Sequence, residues 1–144
     1  MKVDIRVLIF GFVAGFLAVP LFHQMASYLL WLMMPGRSFP WNMSTAQHPF
    51  GIPALINLSF WGGVWGVLFA LIERWLPRRR PLYLICALLF GAVATTLAGW
   101  FIFGPLKGQA FSMARVNWII FFINGSWGLG TGVILSLIRP RRIS

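Results

Sequence analysis

The sequence predicts an all-α, polytopic membrane protein in which four transmembrane helices form one domain over residues 1–144. Three observations predict it. Hydrophobic residues make up 59% of the chain and charged residues only 10%, against about 45–50% and about 25% in a soluble domain. The apolar residues collect into four stretches near the length of about 20 residues that a helix needs to cross about 30 Å of hydrocarbon. The basic residues, which bring the net charge to +10, sit in short clusters between those stretches.

The first helix is expected over about residues 7–33. Lys2 and Arg6 precede its apolar run, as they would in a signal peptide. The chain then continues Ala18-Val19-Pro20-Leu21-Phe22-His23, without the small-residue pattern of a cleavage site. A retained helix is therefore expected. A connection follows with Pro35, Pro40, Pro49 and Pro53, together with Gly36 and Gly51. Proline fixes φ, so this loop is expected to be ordered against the bundle or a partner. The remaining helices are expected at about 54–76, 81–103 and 117–138. None shows strand-like alternation, and an open sheet could not satisfy its backbone in lipid.

Orientation follows from the cations near the helix ends. Lys2, Arg6, Arg74, Arg78, Arg79, Arg80, Arg139, Arg141 and Arg142 fall on one side; Arg37, Lys107 and Arg115 fall on the other. Nine against three places both termini in the cytoplasm. Trp31, Trp41, Trp75, Trp100 and Trp118 lie near helix ends, as in interfacial aromatic belts. The clusters Arg78-Arg79-Arg80 and Arg141-Arg142 suit anionic lipid headgroups, at about 1 kcal/mol per residue.

The second and fourth helices share a pattern. Trp61-Gly62 and Gly66 align with Trp127-Gly128 and Gly132, each run ends in Leu-Ile, and arginines follow both. The first and third match more weakly, as Phe10-Gly11-x-Val13-Ala14 against Phe90-Gly91-x-Val93-Ala94. The expected architecture is thus two tandem helical hairpins, related as parallel repeats about an axis along the membrane normal. Gly11/Gly15, Gly62/Gly66 and Gly128/Gly132 are GxxxG spacings, flat strips that admit another helix within the chain or from another copy.

Ordered by depth, the polar residues of the spans gather in the outer half: His23, Gln24, Asn57, Thr95 and Asn124, with Thr96 beside them. Polar groups in hydrocarbon face the bundle interior. An outward-opening polar cluster centred on His23, Asn57 and Asn124 is expected, either as a binding site or as interhelical hydrogen bonds that tie the bundle. Lys107, with Arg37 and Arg115, makes its mouth mildly basic.

The chemistry for an enzyme is missing. Asp4 and Glu73 are the only carboxylates and both are expected to face the cytoplasm, so no acid–base pair lies within the spans. No Ser or Cys has a His and a carboxylate within reach, and no phosphate loop or dinucleotide fingerprint occurs. No energised proton relay is available, because His23 stands alone. Cys86 is a lone apolar residue. His23, His48 and the outer methionines lack the dense spacing of a copper site, and bis-His haem lacks its matched pair, so no metal or cofactor is expected. Nucleic acid is excluded as a partner, since no soluble face remains to carry a basic stripe.

The segments Phe22-His23-Gln24, His48-Pro49-Phe50-Gly51-Ile52-Pro53, Phe60-Trp61-Gly62-Gly63-Val64-Trp65-Gly66, Pro105-Leu106-Lys107-Gly108 and Asn124-Gly125-Ser126-Trp127-Gly128 resemble a group of small bacterial inner-membrane proteins of unassigned function. The resemblance implies a four-helix fold and inner-membrane placement, and no site residues. Two functions are then expected. The first is a non-enzymatic accessory or assembly subunit of a larger membrane complex, partnered by another membrane protein or by itself. The second is a small homo-oligomeric channel or carrier for a small polar or anionic solute. Glycine strips facing out of the bundle would favour the first, and strips facing inward the second.

Overall fold

A computed structural model describes residues 4–46 and 49–139. Among them are four long helices, α1 (Ile5–Met33), α2 (Ala54–Trp75), α3 (Arg80–Leu106) and α4 (Trp118–Ile138), each long and apolar enough to cross a membrane. Lys2, His48, Arg141 and Arg142 lie outside the described residues. The end of the bundle carrying the 34–53 and 107–117 connections is called here the loop end, and the opposite end the base.

Three of the four helices begin with a first-turn N–H group satisfied by a cap or by the preceding loop. The Asp4 carboxylate accepts from the Arg6 N–H at 3.0 Å, and the Asn117 side chain accepts from the Ile120 N–H at 3.3 Å. Pro53 offers α2 no side-chain cap. The 34–53 loop doubles back instead, and its Ser44 and Asn42 carbonyls accept from the Ala54 and Leu55 N–H groups at 3.0 and 2.9 Å. The proline-rich loop is thus part of how α2 starts.

Pro20 interrupts α1. Lacking an N–H, it forces a wider turn at Val19–His23, where the Gln24 N–H reaches back five residues to the Val19 carbonyl. Just before it, the Val19 N–H bonds to the Phe16 carbonyl, three residues back. α3 widens similarly at Phe90–Thr95 and Gly99–Phe103, and the Thr95 hydroxyl donates to the Gly91 carbonyl at 2.5 Å.

α1 packs against α2 on one side and α4 on the other, and α3 packs against α4. Backbone contact between α2 and α3 is sparse; they meet through the ring pairs Trp61–Phe103, Trp65–Phe90, Phe69–Phe90 and Phe69–Tyr83. The two tight crossings are made at glycines. A methyl group at Gly15 would overlap the Gly62 carbonyl and stand 2.8 Å from the Gly66 Cα. One at Gly91 would overlap the Asn124 carbonyl and stand 2.7 Å from the Gly128 Cα. Gly11 lies against Ala70 as Gly132 lies against Ala87, each with 2.7 Å for an added methyl. In these contacts Gly66 occupies the place of Gly128, one helical turn from the register that aligns Trp61 with Trp127. The glycine strips face into the bundle, and large apolar side chains such as Ile5, Leu21, Leu32 and Ile102 face out.

Small residues and a few rings fill the interior: Ala14, Ala70 and Ala87 with Phe69, Tyr83 and Leu135. At the base, Glu73 is only 2% exposed, whereas Asp4 is exposed. The Tyr83 hydroxyl donates to Glu73 Oε1 at 3.1 Å, and Arg139 Nη1 lies 3.4 Å from Oε2. A carboxylate is tolerated inside a bundle only when it is bonded in this way. It ties α2, α3 and the end of α4 together.

Gly15→Ala is expected to destabilise the protein by about 1–3 kcal/mol through overpacking against backbone that cannot move. Gly99→Ala, where an added methyl meets nothing within 4 Å, is expected to be neutral or to stabilise by up to about 1 kcal/mol. Unfolding midpoints of the two variants in mild detergent check the contrast, and equal midpoints would remove the glycine crossing from the account.

Candidate functional site

The wide turn at Pro20 prepares the site by releasing two carbonyls. The Val19 N–H is bonded to Phe16, and the Gly15 carbonyl accepts instead from the Trp127 indole N–H at 2.9 Å, joining α1 to α4 in the interior. The Gln24 N–H is bonded to Val19, and the Pro20 carbonyl accepts from the Trp41 indole at 3.0 Å. Trp41 therefore closes the loop down onto α1, and its own N–H donates to Gln24 Oε1 at 2.9 Å. These bonds hold Trp41 at φ 55°, a conformation that costs a non-glycine residue about 1–3 kcal/mol. Tyr28 and Phe39 pack their rings against it, and Trp31 stacks on Tyr28.

Between the helices, in the half toward the loop end, is a chamber of ≈ 170 Å³. Its polar groups are His23 of α1, Thr95 of α3 and Asn124 of α4; its walls are Val19, Leu58, Trp61, Trp65 and Trp127. The Asn124 amide donates to the buried Thr96 hydroxyl at 2.8 Å. His23 Nδ1 lies 3.3 Å from Gln24 Nε2, which assigns Nδ1 the acceptor role and the proton to Nε2. Among the described residues, His23 Nε2 and the Asn124 side-chain carbonyl have no hydrogen-bond partner. One donor and one acceptor thus face a small space walled by three indoles, the composition of a site for a compact polar molecule. Among the described residues no three His, Cys, Asp or Glu side chains come together as a metal site.

A second cavity, of ≈ 400 Å³, adjoins the chamber across Leu58, Trp61 and Trp65 and is lined further by Asn57, Gly99, Phe103, Lys107 and Gln109. A third, of ≈ 210 Å³, lies beneath the 34–53 loop with Gln24, Ser27, Arg37 and Asn42 on its walls. Of the five residues expected to form one polar cluster, the fold brings His23, Thr95 and Asn124 together. Asn57 belongs to the adjoining cavity on the far side of Trp61, and Gln24 faces the loop. Sequence position sets depth along the membrane normal but not the direction around each helix, which is what divides them. Arg78, Arg79 and Arg80 are exposed at the base. The packing glycines Gly11, Gly15, Gly62, Gly66, Gly128 and Gly132 all lie at helix–helix contacts inside the chain.

Sequence reasoning passed over the chamber walls. Five of the eight tryptophans lie near helix ends; Trp61, Trp65 and Trp127 do not, and these three surround the chamber. Their mid-span position was the available signal. It also passed over Gly91 as a packing residue, although Ala87 four positions earlier makes the small-xxx-small spacing that such crossings use. Comparison with protein-family models, with curated proteins and with solved structures finds no match for this chain.

Trp127→Phe keeps an aromatic side chain but leaves the buried Gly15 carbonyl without its donor. A loss of about 1–3 kcal/mol is expected. Trp100→Phe, at an indole that makes no hydrogen bond among the described residues, is expected to shift the detergent unfolding midpoint by clearly less. The reverse order would contradict the role given to Trp127.

Proposed function

We propose that this chain is a non-enzymatic integral membrane protein that holds a small polar solute in the chamber of His23, Thr95 and Asn124, as part of a small homo-oligomeric carrier or channel. One observation carries the reading. The glycine strips that could have served as docking faces for other proteins are used within the chain, and between the helices they bring together lies a half-open chamber with one free donor and one free acceptor. Four helices enclose too little space for a continuous path, so transport requires further copies around a symmetry axis.

In this reading the loop end faces outward and the base faces the cytoplasm of a bacterium, where Arg78, Arg79 and Arg80, with Arg141 and Arg142, meet anionic headgroups. The two hairpins are repeats of one ancestral unit. The equivalent contacts of Gly15 with Gly66 and of Gly91 with Gly128 support this, in a register one turn from that of the tryptophan alignment. The other reading, an accessory or assembly subunit, is favoured by the loop between α1 and α2, where Phe39 and Met43 are more than half exposed and Phe50 is 96% exposed at a φ of 66°. Such a surface suits a protein partner.

Native mass spectrometry of the full chain, extracted with its surrounding lipid, separates the two. A small non-protein mass retained by the wild type and lost from His23→Ala/Asn124→Ala is expected. A fixed stoichiometry with another protein and no small mass would establish the accessory reading instead. Failure of the double variant to accumulate in the membrane would also contradict the proposal, because the polar trio would then only tie the helices.

A further inference from the structure

The cavity that adjoins the chamber is a groove between α2 and α3, open on its side where the two backbones separate, and Trp61 on its wall is 47% exposed. Its polarity changes with depth. Asn57, the fourth residue of α2, and Lys107, immediately after α3, stand at its top with Gln109; Trp61, Trp65 and Phe103 line it below. Lys107 follows the last residue of a membrane-length helix, the level at which hydrocarbon gives way to headgroups.

The turn that carries Lys107 is fixed rather than loose. The Gly108 N–H bonds to the Pro105 carbonyl at 2.9 Å and the Gln109 N–H to the Gly104 carbonyl at 2.8 Å, with Gly108 at φ 71°. That pair of bonds closed by a left-handed glycine is the Schellman termination of a helix. Arg115 donates to Gln109 Oε1 at 3.3 Å and brings a second cation to the rim. Both carboxylates of the chain, Asp4 and Glu73, belong to the base, so the loop end has cations and no acid to neutralise them. Gly99 leaves the floor open, since a methyl group there would meet nothing within 4 Å.

We infer that this groove is a binding site for one anionic lipid, with the phosphate at Lys107 and a hydrocarbon chain laid along Trp61 and Phe103. A cation at headgroup depth above an aromatic trough open to the side matches the polarity gradient of a phospholipid, whereas a water-soluble anion would gain nothing from the trough. The site is distinct from the chamber of His23 and Asn124 and does not depend on a solute binding there.

The test uses the full chain in mixed vesicles of phosphatidylglycerol and phosphatidylcholine, with the lipids that survive release into the gas phase counted by native mass spectrometry. Beyond any phosphatidylglycerol held by the arginines of the base, which the Lys107 variant leaves unchanged, the wild type is expected to retain one phosphatidylglycerol in preference to phosphatidylcholine. Lys107→Gln is expected to lower that retention about fivefold, the effect of one cation near an anionic headgroup, without changing phosphatidylcholine. Gly99→Leu, which fills the trough, is expected to lower both. If Gly99→Leu does not fold, the comparison of wild type with Lys107→Gln still decides. Equal retention of phosphatidylglycerol by wild type and Lys107→Gln would overturn the site. So would binding of inorganic phosphate, in pure phosphatidylcholine, as strong as that of phosphatidylglycerol and equally dependent on Lys107; the ligand would then be a free anion.

Discussion

The bundle depends on two places where helix backbones touch, Gly15 on Gly62 and Gly66, and Gly91 on Gly128. Between helices in lipid there is no hydrophobic effect to draw them together, since the hydrocarbon outside is as apolar as the side chains within. What remains is close packing and hydrogen bonding, and both improve when no Cβ intervenes. The glycines let α1 lie on α2, and α3 on α4, at backbone distance. They also leave the outer surface to bulky residues such as Ile9, Leu29, Phe101 and Leu137, which face the surroundings.

Close approach within each hairpin has a consequence between them. α1 and α4 sit next to each other in the middle, while α2 and α3 stay apart except where rings bridge them. The Pro20 turn makes the central junction specific by presenting the Gly15 carbonyl to the Trp127 indole. The same turn presents the Pro20 carbonyl to Trp41 and so ties the 34–53 loop to α1. A single imino acid thus sets one interior contact and one loop contact, and the chamber lies between them. At the base, Glu73 with Tyr83 and Arg139 holds the other end of the bundle together.

The number of helices, their class and most of their limits were legible because hydropathy reports burial in hydrocarbon directly, whatever the tertiary arrangement. The first turn of α1 and the last turn of α3 extend beyond the expected ranges, since caps and the Gly108 termination set ends more finely than apolar length does. Half of the site was legible in the same way: depth alone places His23, Thr95 and Asn124 at one level. Depth could not show that Asn57 and Gln24 turn elsewhere, because that depends on the crossing at Gly15 and on the wide turn at Pro20. The burial of Glu73 was hidden for a related reason. A carboxylate at a helix end reads as solvated until its partners, ten and sixty-six residues away, are known to be beside it.

All of this stands on the glycine contacts being made within one chain. The direct measurement is a solid-state NMR carbon correlation spectrum of the full chain in lipid bilayers, with only glycine carbons labelled. Cross-peaks between Gly15 and both Gly62 and Gly66, and between Gly91 and Gly128, are predicted, with intensities per labelled chain unchanged when labelled protein is diluted into unlabelled. Loss of those cross-peaks on dilution would assign the glycine strips to contacts between copies. The chamber and the groove beside it would then lose their physical basis.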